Sequence, residues 1–428
     1  LAKNTEPMVA TVKKAMNILW VVNTIFPAPA KHLGLTPPVL GGWMYSMAAD
    51  LASQGKVNLA VATVYDGNVL KSFNIDGITY YLLPRVAKNQ KSGWLSIVNE
   101  FNPIMAHIHG TEYGHGMELM RTCPDLKYIV SIQGLVSVCY RYFMAGLSFW
   151  DVFYNITLRD IIRWNTLFHS RHDFYLGGKV ETDYIRRAHA IVGRTEWDYA
   201  HVKAINPLVS YHFCNESLRN QFYEGATWSY DECRKHTIFL SQAGYPLKGL
   251  HQVLKAVALL KEKYPDVCIL IAGQDIASGS SFWQRIKMTG YGEYIRGLIR
   301  KLDLELNVKF LGYLDASAMR SAYVSANVFV CPSSVENSPN SLGEAQMLGV
   351  PCIASYVGGI PSMTKADDGC LLYRFEEYEM LAVLIERVFD CNILMNELSV
   401  NGKKEADLRH DRNKNLEKMM EIYGRQKN

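Results

Sequence analysis

The stretch Val330–Ser355, VCPSSVENSPNSLGEAQMLGVPCIAS, decides how this chain is read. A strand runs into Pro332, a loop carries Glu336, and Pro339 can open a helix, because a proline in the first turn forfeits no helical hydrogen bond. Gly349 and Pro351 end that helix, and the next strand starts at once. A strand–loop–helix–strand unit of this kind belongs to a parallel sheet, whose ligands bind outside the carboxyl ends of the strands. The first helical turn offers amides near Asn340, Ser341 and Leu342; with the helix dipole they attract an anion such as a diphosphate. Glu336 stands just before that turn. Glu344 stands inside the helix, its side chain leaning back toward the helix start. The two carboxylates are about 10 Å apart along the path. That span suits a nucleotide sugar, one acid taking sugar hydroxyls and the other the ribose diol. The bland reading makes Glu336 an exposed loop charge and Glu344 a surface helix residue, and only the surrounding pattern argues against it.

Working outward, the same alternation runs through the chain twice. From Thr237 the runs TIFLSQ, VCILIAGQ, VKFLGYL, NVFVCPS, PCIAS and CLLY alternate with helical patterns near residues 247–263, 282–302, 316–325, 339–348 and 376–389. Upstream, NILWVVNTI, VNLAVATVY, ITYYLLP, IMAHIHG, KYIVSIQG and AIVGRT form an earlier series, with a helix over about 42–54. Short apolar runs between helices read as strands buried on both faces. The fold class is therefore α/β, two doubly wound Rossmann-like domains facing a central cleft. The expected division is an acceptor domain over 1–206, a linker over 207–236, a donor domain over 237–400 and a C-terminal helix over 401–428. One segment breaks the alternation. Residues 140–187 are rich in aromatic and basic side chains, and two readings stand: a helical insertion burying its aromatics, or a surface for an acceptor or a membrane interface.

Length agrees with two domains. The chain has 428 residues, and single cores stop growing at about 250–300. A net charge of +4 is mild and carries no nucleic-acid signature. The nine cysteines are scattered without metal-ligand spacing and read as buried thiols of a reducing compartment. No apolar run reaches the about 18 residues of a membrane span, and no signal-peptide layout is present. A cytoplasmic location, with a peripheral contact at the inner face of the membrane, is the expectation. The first βα turn, NTIFPAPAKHLGLTPPVLGGW, lacks G-x-G-x-x-G, which argues against a dinucleotide-linked dehydrogenase. A two-lobed sugar-binding protein would share the doubled architecture but would carry an export signal.

The residues around Glu336 and Glu344 resemble the retaining glycosyltransferases of family 4, which have the GT-B fold. LSQAGYPLKGLHQVLKAVALL, NVKFLGYL and SYVGGIPSM match that family in order and spacing; GGWMYSMAADLA and AHIHG match more loosely in the first half. SIQGL, GRTEWD and NESLR are similar to segments of bacterial capsule and surface-polysaccharide enzymes. The resemblance implies an enzyme moving a hexose-type sugar, with retention, from a nucleotide diphosphate sugar to a hydroxyl of a glycan or lipid-linked acceptor. A UDP-sugar is favoured over a GDP-sugar, and no cofactor or metal is implied. A sugar-nucleotide epimerase or phosphorylase of the same fold is the alternative. By resemblance Glu336 holds the donor sugar, Glu344 the ribose and Lys248 the diphosphate. Gly41 and Gly42 let backbone approach the diphosphate from the opposite domain. Gly312 and Tyr313 fall on the donor side with Asn340, Ser341 and Leu342. Two positions depart from the family. Gln242 stands where many members carry Arg on the diphosphate, and Gln133 stands where many carry His near the donor sugar. Gln133 can hydrogen-bond the sugar but cannot serve as a base. His109 and His115 are the candidates for the acceptor side.

Overall fold

A computed structural model describes residues 15–35, 42–279, 286–364 and 368–427. The first sheet has eight strands in the order β3-β4-β2-β1-β5-β6-β7-β8. They are β1 (Met16–Val21), β2 (Val57–Tyr65), β3 (Lys71–Ile75), β4 (Ile78–Pro84), β5 (Met105–His109), β6 (Lys127–Ser131), β7 (Ala190–Gly193) and β8 (Ser210–Phe213). All pair in parallel except the edge strand β3, which runs antiparallel to β4. The second sheet has six parallel strands in the order β11-β10-β9-β12-β13-β14. These are β9 (Arg234–Leu240), β10 (Cys268–Ile271), β11 (Val308–Phe310), β12 (Ala326–Cys331), β13 (Cys352–Ser355) and β14 (Leu371–Tyr373). The molecule is thus two doubly wound α/β domains. β12 is buried at every position, as a central strand covered by helices on both faces must be.

Each sheet has one place where the strand order reverses. It lies between β1 and β5 in the first sheet and between β9 and β12 in the second. Loops leaving neighbouring strands there diverge to opposite faces and open a crevice. The carboxyl ends of the two sheets face each other, because residues just past β6 and β7 touch the loop just past β12. Thr195 donates to Asn337 (2.6 Å), and Asn337 donates to Asp198 (2.8 Å) and to the Gln133 carbonyl (3.2 Å).

Two element boundaries differ from the sequence reading. The stretch expected as linker contains β8, paired with β7 in the first sheet. None of its four residues is buried, so periodicity did not mark it. The C-terminal region is two helices with different hosts. Asn392–Arg409 packs on the helix Asn340–Met347 of the second domain, and Arg412–Lys427 crosses back to the first. There Met419, Ile422 and Tyr423 join the core beneath β1 and β2. Each such side chain contributes about 1.5–3 kcal/mol by burial. Tyr423 also accepts a hydrogen bond from Trp20 Nε1 (2.8 Å) and pairs with His107 Nδ1 (2.7 Å).

Residues 140–187 fold as short helices, Phe149–Phe153 and Leu158–Ile162, before the long helix Leu167–Arg187. Some of their aromatics are buried and many are not. Among the described residues no helix is long and apolar enough to cross a membrane, and the cysteines form no disulfide.

Candidate functional site

The reversal point of the second sheet assembles the site. Backbone contact joins the loops leaving β9 and β12: Ser334 N–H donates to the Leu247 carbonyl (2.8 Å). Gly249, at φ +69°, lies so close to the Pro332 carbonyl that any Cβ would collide with it. That approach needs glycine. It brings Lys248, in the tight turn Pro246–Lys248, onto Glu336. Lys248 Nζ donates to Glu336 Oε1, which also accepts from Ser333 Oγ (2.9 Å). Both side chains are only about 15% exposed: 15% for Lys248 and 16% for Glu336. Burial works against the lysine charge, but Glu336 and Tyr245 outweigh it and hold the ammonium above its ordinary pKa. Glu336 is fixed from its other side by the turn after β13. Gly359 N–H donates to the Glu336 carbonyl (2.9 Å), and at Gly358, φ +52°, a side chain would fall on that same carbonyl.

The helix Asn340–Met347 begins directly after this loop, with Pro339 as its N-cap. Asn340 and Ser341 head its first turn. The Leu342 amide, expected among the free donors, is instead spent on the Pro339 carbonyl (3.0 Å), in the tightened turn common at helix ends. Asn340 turns its side chain to Glu216 Oε2 (3.1 Å). Glu344 is buried, and its Oε1 accepts from both Nε (3.0 Å) and Nη2 (2.8 Å) of Arg219. Burial pushes its carboxyl up to about 7 although Arg219 pulls it down. The ribose contact expected of Glu344 therefore has to share this carboxylate with an arginine of the segment joining the two domains.

The remaining candidates are scattered around the cleft. Gln242 is exposed on the loop after β9. Gly312 bridges to Gly273 beyond the ends of β10 and β11, with Tyr313 82% exposed beside it. Gln133 follows β6 and is half-buried; its carbonyl binds Arg194 (2.8 Å) and Asn337. Gly42 begins the helix Gly42–Ser53, and Gly41 lies outside the described residues.

The two histidines proposed for the acceptor side are both packed in the protein interior. His109 is 1% exposed, packed between the tilted rings of Trp20 (4.1 Å) and His107 (4.0 Å), and burial lowers its pKa. His115 is also buried. Its Nε2 pairs with the Val22 carbonyl (3.1 Å), pinning a helix start to the end of β1. Their position in the sequence suggested both, but sequence spacing does not distinguish a packed imidazole from a solvent-facing one.

Sequence reasoning missed several groups. Arg219, Arg194, Glu216, Asn337 and Asp198 all belong to short segments singled out above without individual roles. The structure draws three such segments together: Arg194 binds Glu216 (2.6 Å) and the Gln133 carbonyl, and Glu216 holds Asn340. A second missed feature lies in the first domain. A cavity of about 530 Å³ sits at the carboxyl ends of β1, β2 and β4, lined by Asn23, Thr24, Tyr65, Asp66, Lys71 and Arg85. Among the described residues no group of three or more His, Cys, Asp or Glu is arranged to hold a metal ion.

Residues 231–405 match the family described as Glycosyl transferases group 1. The D-inositol 3-phosphate glycosyltransferase of Corynebacterium urealyticum is 34% identical over 128 residues, 29% of this chain and 28% of its own. The GDP-mannose-dependent monoacylated alpha-(1-6)-phosphatidylinositol monomannoside mannosyltransferase of Corynebacterium glutamicum is 29% identical over 154 residues, 34% of this chain and 36% of its own. These alignments thus span 28% and 36% of the relatives' length. Solved structures match far more fully. Sucrose-phosphate synthase from Thermosynechococcus elongatus superposes with a TM-score of 0.69 at 15% identity, over 96% of this chain and 98% of its own. Anabaena Alr3699/HepE, solved with UDP, gives 0.65 at 13% identity, over 96% and 100%. At such identity the likeness establishes the shared two-domain architecture.

Proposed function

We propose that this chain, whose residues 231–405 form a group 1 glycosyl transferase domain within a GT-B fold, moves a hexose-type sugar from a nucleotide diphosphate sugar to a hydroxyl acceptor with retention of configuration. The observation that carries the reading is the Lys248–Glu336 pair at the reversal point of the second sheet, beside the start of the helix Asn340–Met347. An ammonium has three donors. Glu336 takes one, and the others can meet a diphosphate whose negative charge grows as the sugar leaves. The Asn340 and Ser341 amides add to that stabilisation.

Glu336 is held by Lys248 and Ser333, which lowers its reactivity as a nucleophile and suits it to accept hydrogen bonds from sugar hydroxyls. Retention then follows from attack on the face the leaving group departs from. The bond from the anomeric carbon to the diphosphate breaks with its electron pair going to the phosphate oxygen. The acceptor oxygen bonds to the anomeric carbon, and its proton passes to that phosphate oxygen. The interdomain contacts through Asn337 keep water from competing.

The acceptor, a glycan or lipid-linked alcohol of surface polysaccharide synthesis in our reading, would occupy the first-domain cavity. A UDP-sugar is the favoured donor; HepE, which shares the fold, is solved with UDP-glucose. A cytoplasmic site of action is part of the proposal.

A panel of UDP-, GDP- and ADP-sugars tested by thermal shift separates the outcomes. Binding at about 100 times Kd stabilises by about 2.7 kcal/mol. One nucleotide class should raise Tm selectively in the wild type and not in Lys248→Ala. Indifference of the wild type to all three would overturn the reading.

A further inference from the structure

The short helices Phe149–Phe153 and Leu158–Ile162 display apolar side chains outward. Trp150 is 57% exposed, Tyr154 75%, Ile162 70% and Trp164 76%. Phe149 and Phe153 stack on each other (5.7 Å), and Trp150 stacks on Tyr154 (5.4 Å), so the rings form one continuous cluster. Five-residue helices do not persist unaided. Here each is held by a reciprocal capping box, Ser148 with Asp151 and Thr157 with Asp160. Their undersides are pinned to the second domain. Buried Asp160 accepts from the Gly290 amide (2.6 Å), and Thr157 donates to the Met288 carbonyl (2.9 Å). The apolar tips are thus presented by a rigid frame. Exposed patches of this size on a soluble domain mark an interaction surface.

Charge and side-chain type select the partner. Among the acids between residues 148 and 179, Asp151 and Asp160 are folded back into the capping boxes, and only Asp173 is exposed. Arg163, Arg171 and Lys179 are all exposed. Trp and Tyr with flanking Arg and Lys match the boundary between headgroups and acyl chains, where ring bodies enter and cations stay with anionic phosphates. The chain leading into the patch also touches the site. Phe143, at the end of the preceding helix, packs on Leu247 and Val335, the neighbours of Lys248 and Glu336. Ser334 Oγ donates to the Tyr142 carbonyl (3.1 Å).

We propose that the face carried by Phe149–Phe153, Leu158–Ile162 and Trp164 docks the protein onto an anionic lipid bilayer, with the cleft opening beside the headgroups. This deepens the transferase reading by placing a lipid-borne acceptor hydroxyl next to the cleft, but the docking itself is measured without turnover, so the two ideas fail separately.

Flotation with vesicles of phosphatidylcholine, alone or in equal parts with phosphatidylglycerol, tests it. The wild type should float with the mixed vesicles and less as salt rises. The triple variant Trp150→Ser, Ile162→Ser, Trp164→Ser should lose at least ~100-fold in partitioning at unchanged Tm, as three interfacial side chains leave the lipid. Arg163→Gln with Arg171→Gln should weaken binding to the anionic vesicles only. Wild-type protein that stays unbound, or a triple variant that binds as well, overturns the proposal. So does a wild-type dimer in light scattering that the triple variant dissolves while neither floats, which would give the face to a second copy of this chain.

Discussion

Lys248 and Glu336 illustrate how two buried charges can be tolerable only together. Each loses most of its water, and each is compensated by the other. Removing one partner, as in Lys248→Met or Glu336→Gln, should cost about 3–5 kcal/mol. The double variant should then cost less than the sum of the singles by about 1–3 kcal/mol in denaturant unfolding. Additive losses would mean the pair is not coupled. Glu336→Gln should also cut sugar transfer by orders of magnitude, since a neutral amide cannot hold Lys248 in place; turnover at the wild-type rate would remove Glu336 from the mechanism. Glu344 makes a different prediction. Burial lifts its carboxyl from 4.5 to about 7 despite Arg219. A carboxyl raised on folding favours the protonated native state, so its destabilising effect is absent below the unfolded value and grows as pH rises through the folded one. The Tm of the wild type should therefore fall relative to that of Glu344→Gln between about pH 4.5 and about pH 7, then run parallel. A difference independent of pH would show that Arg219 keeps Glu344 ionised throughout.

Among the elements, the helix Arg412–Lys427 is held on the first sheet by its packing and by the Tyr423 hydroxyl. Tyr423 OH lies between Trp20 Nε1 and His107 Nδ1, and burial lowers His107 to about 3, so that imidazole is neutral. Tyr423→Phe keeps the ring packing and strands both partners in the core. Unmet buried polar groups cost about 1–3 kcal/mol each. Thermal unfolding of Tyr423→Phe should show a loss of that order, and a variant as stable as the wild type would mean the partners re-pair. The same logic explains the loop before the helix Asn340–Met347. Its shape comes less from its own sequence than from glycines pressed against it, Gly249 on Pro332 and Gly358 on Glu336.

For the whole molecule, the two domains meet through several polar side chains, among them Thr157, Asp160 and Ser334, and Asn337 makes contacts to Thr195, Asp198 and the Gln133 carbonyl. Asn337→Ala should loosen closure. Small-angle scattering should show a larger radius of gyration, and donor KM should rise while Tm changes little. An unchanged radius would shift the closure to Arg194 and Glu216 instead. The doubled α/β architecture, and the loop and helix holding Glu336 and Glu344, were legible in the sequence. Alternating apolar runs report local burial, and Pro and Gly mark where backbone geometry changes, both independently of distant partners. β8 escaped because an edge strand need not be apolar, and the burial of His109 and His115 escaped because spacing gives a residue's element but not its neighbours. What tertiary structure alone decided is which side chains pair: Arg219 reaches Glu344 across 125 positions, and Lys248 reaches Glu336 across 88. Such pairings depend on how separate loops converge at the reversal of a sheet, and no local pattern encodes that distance.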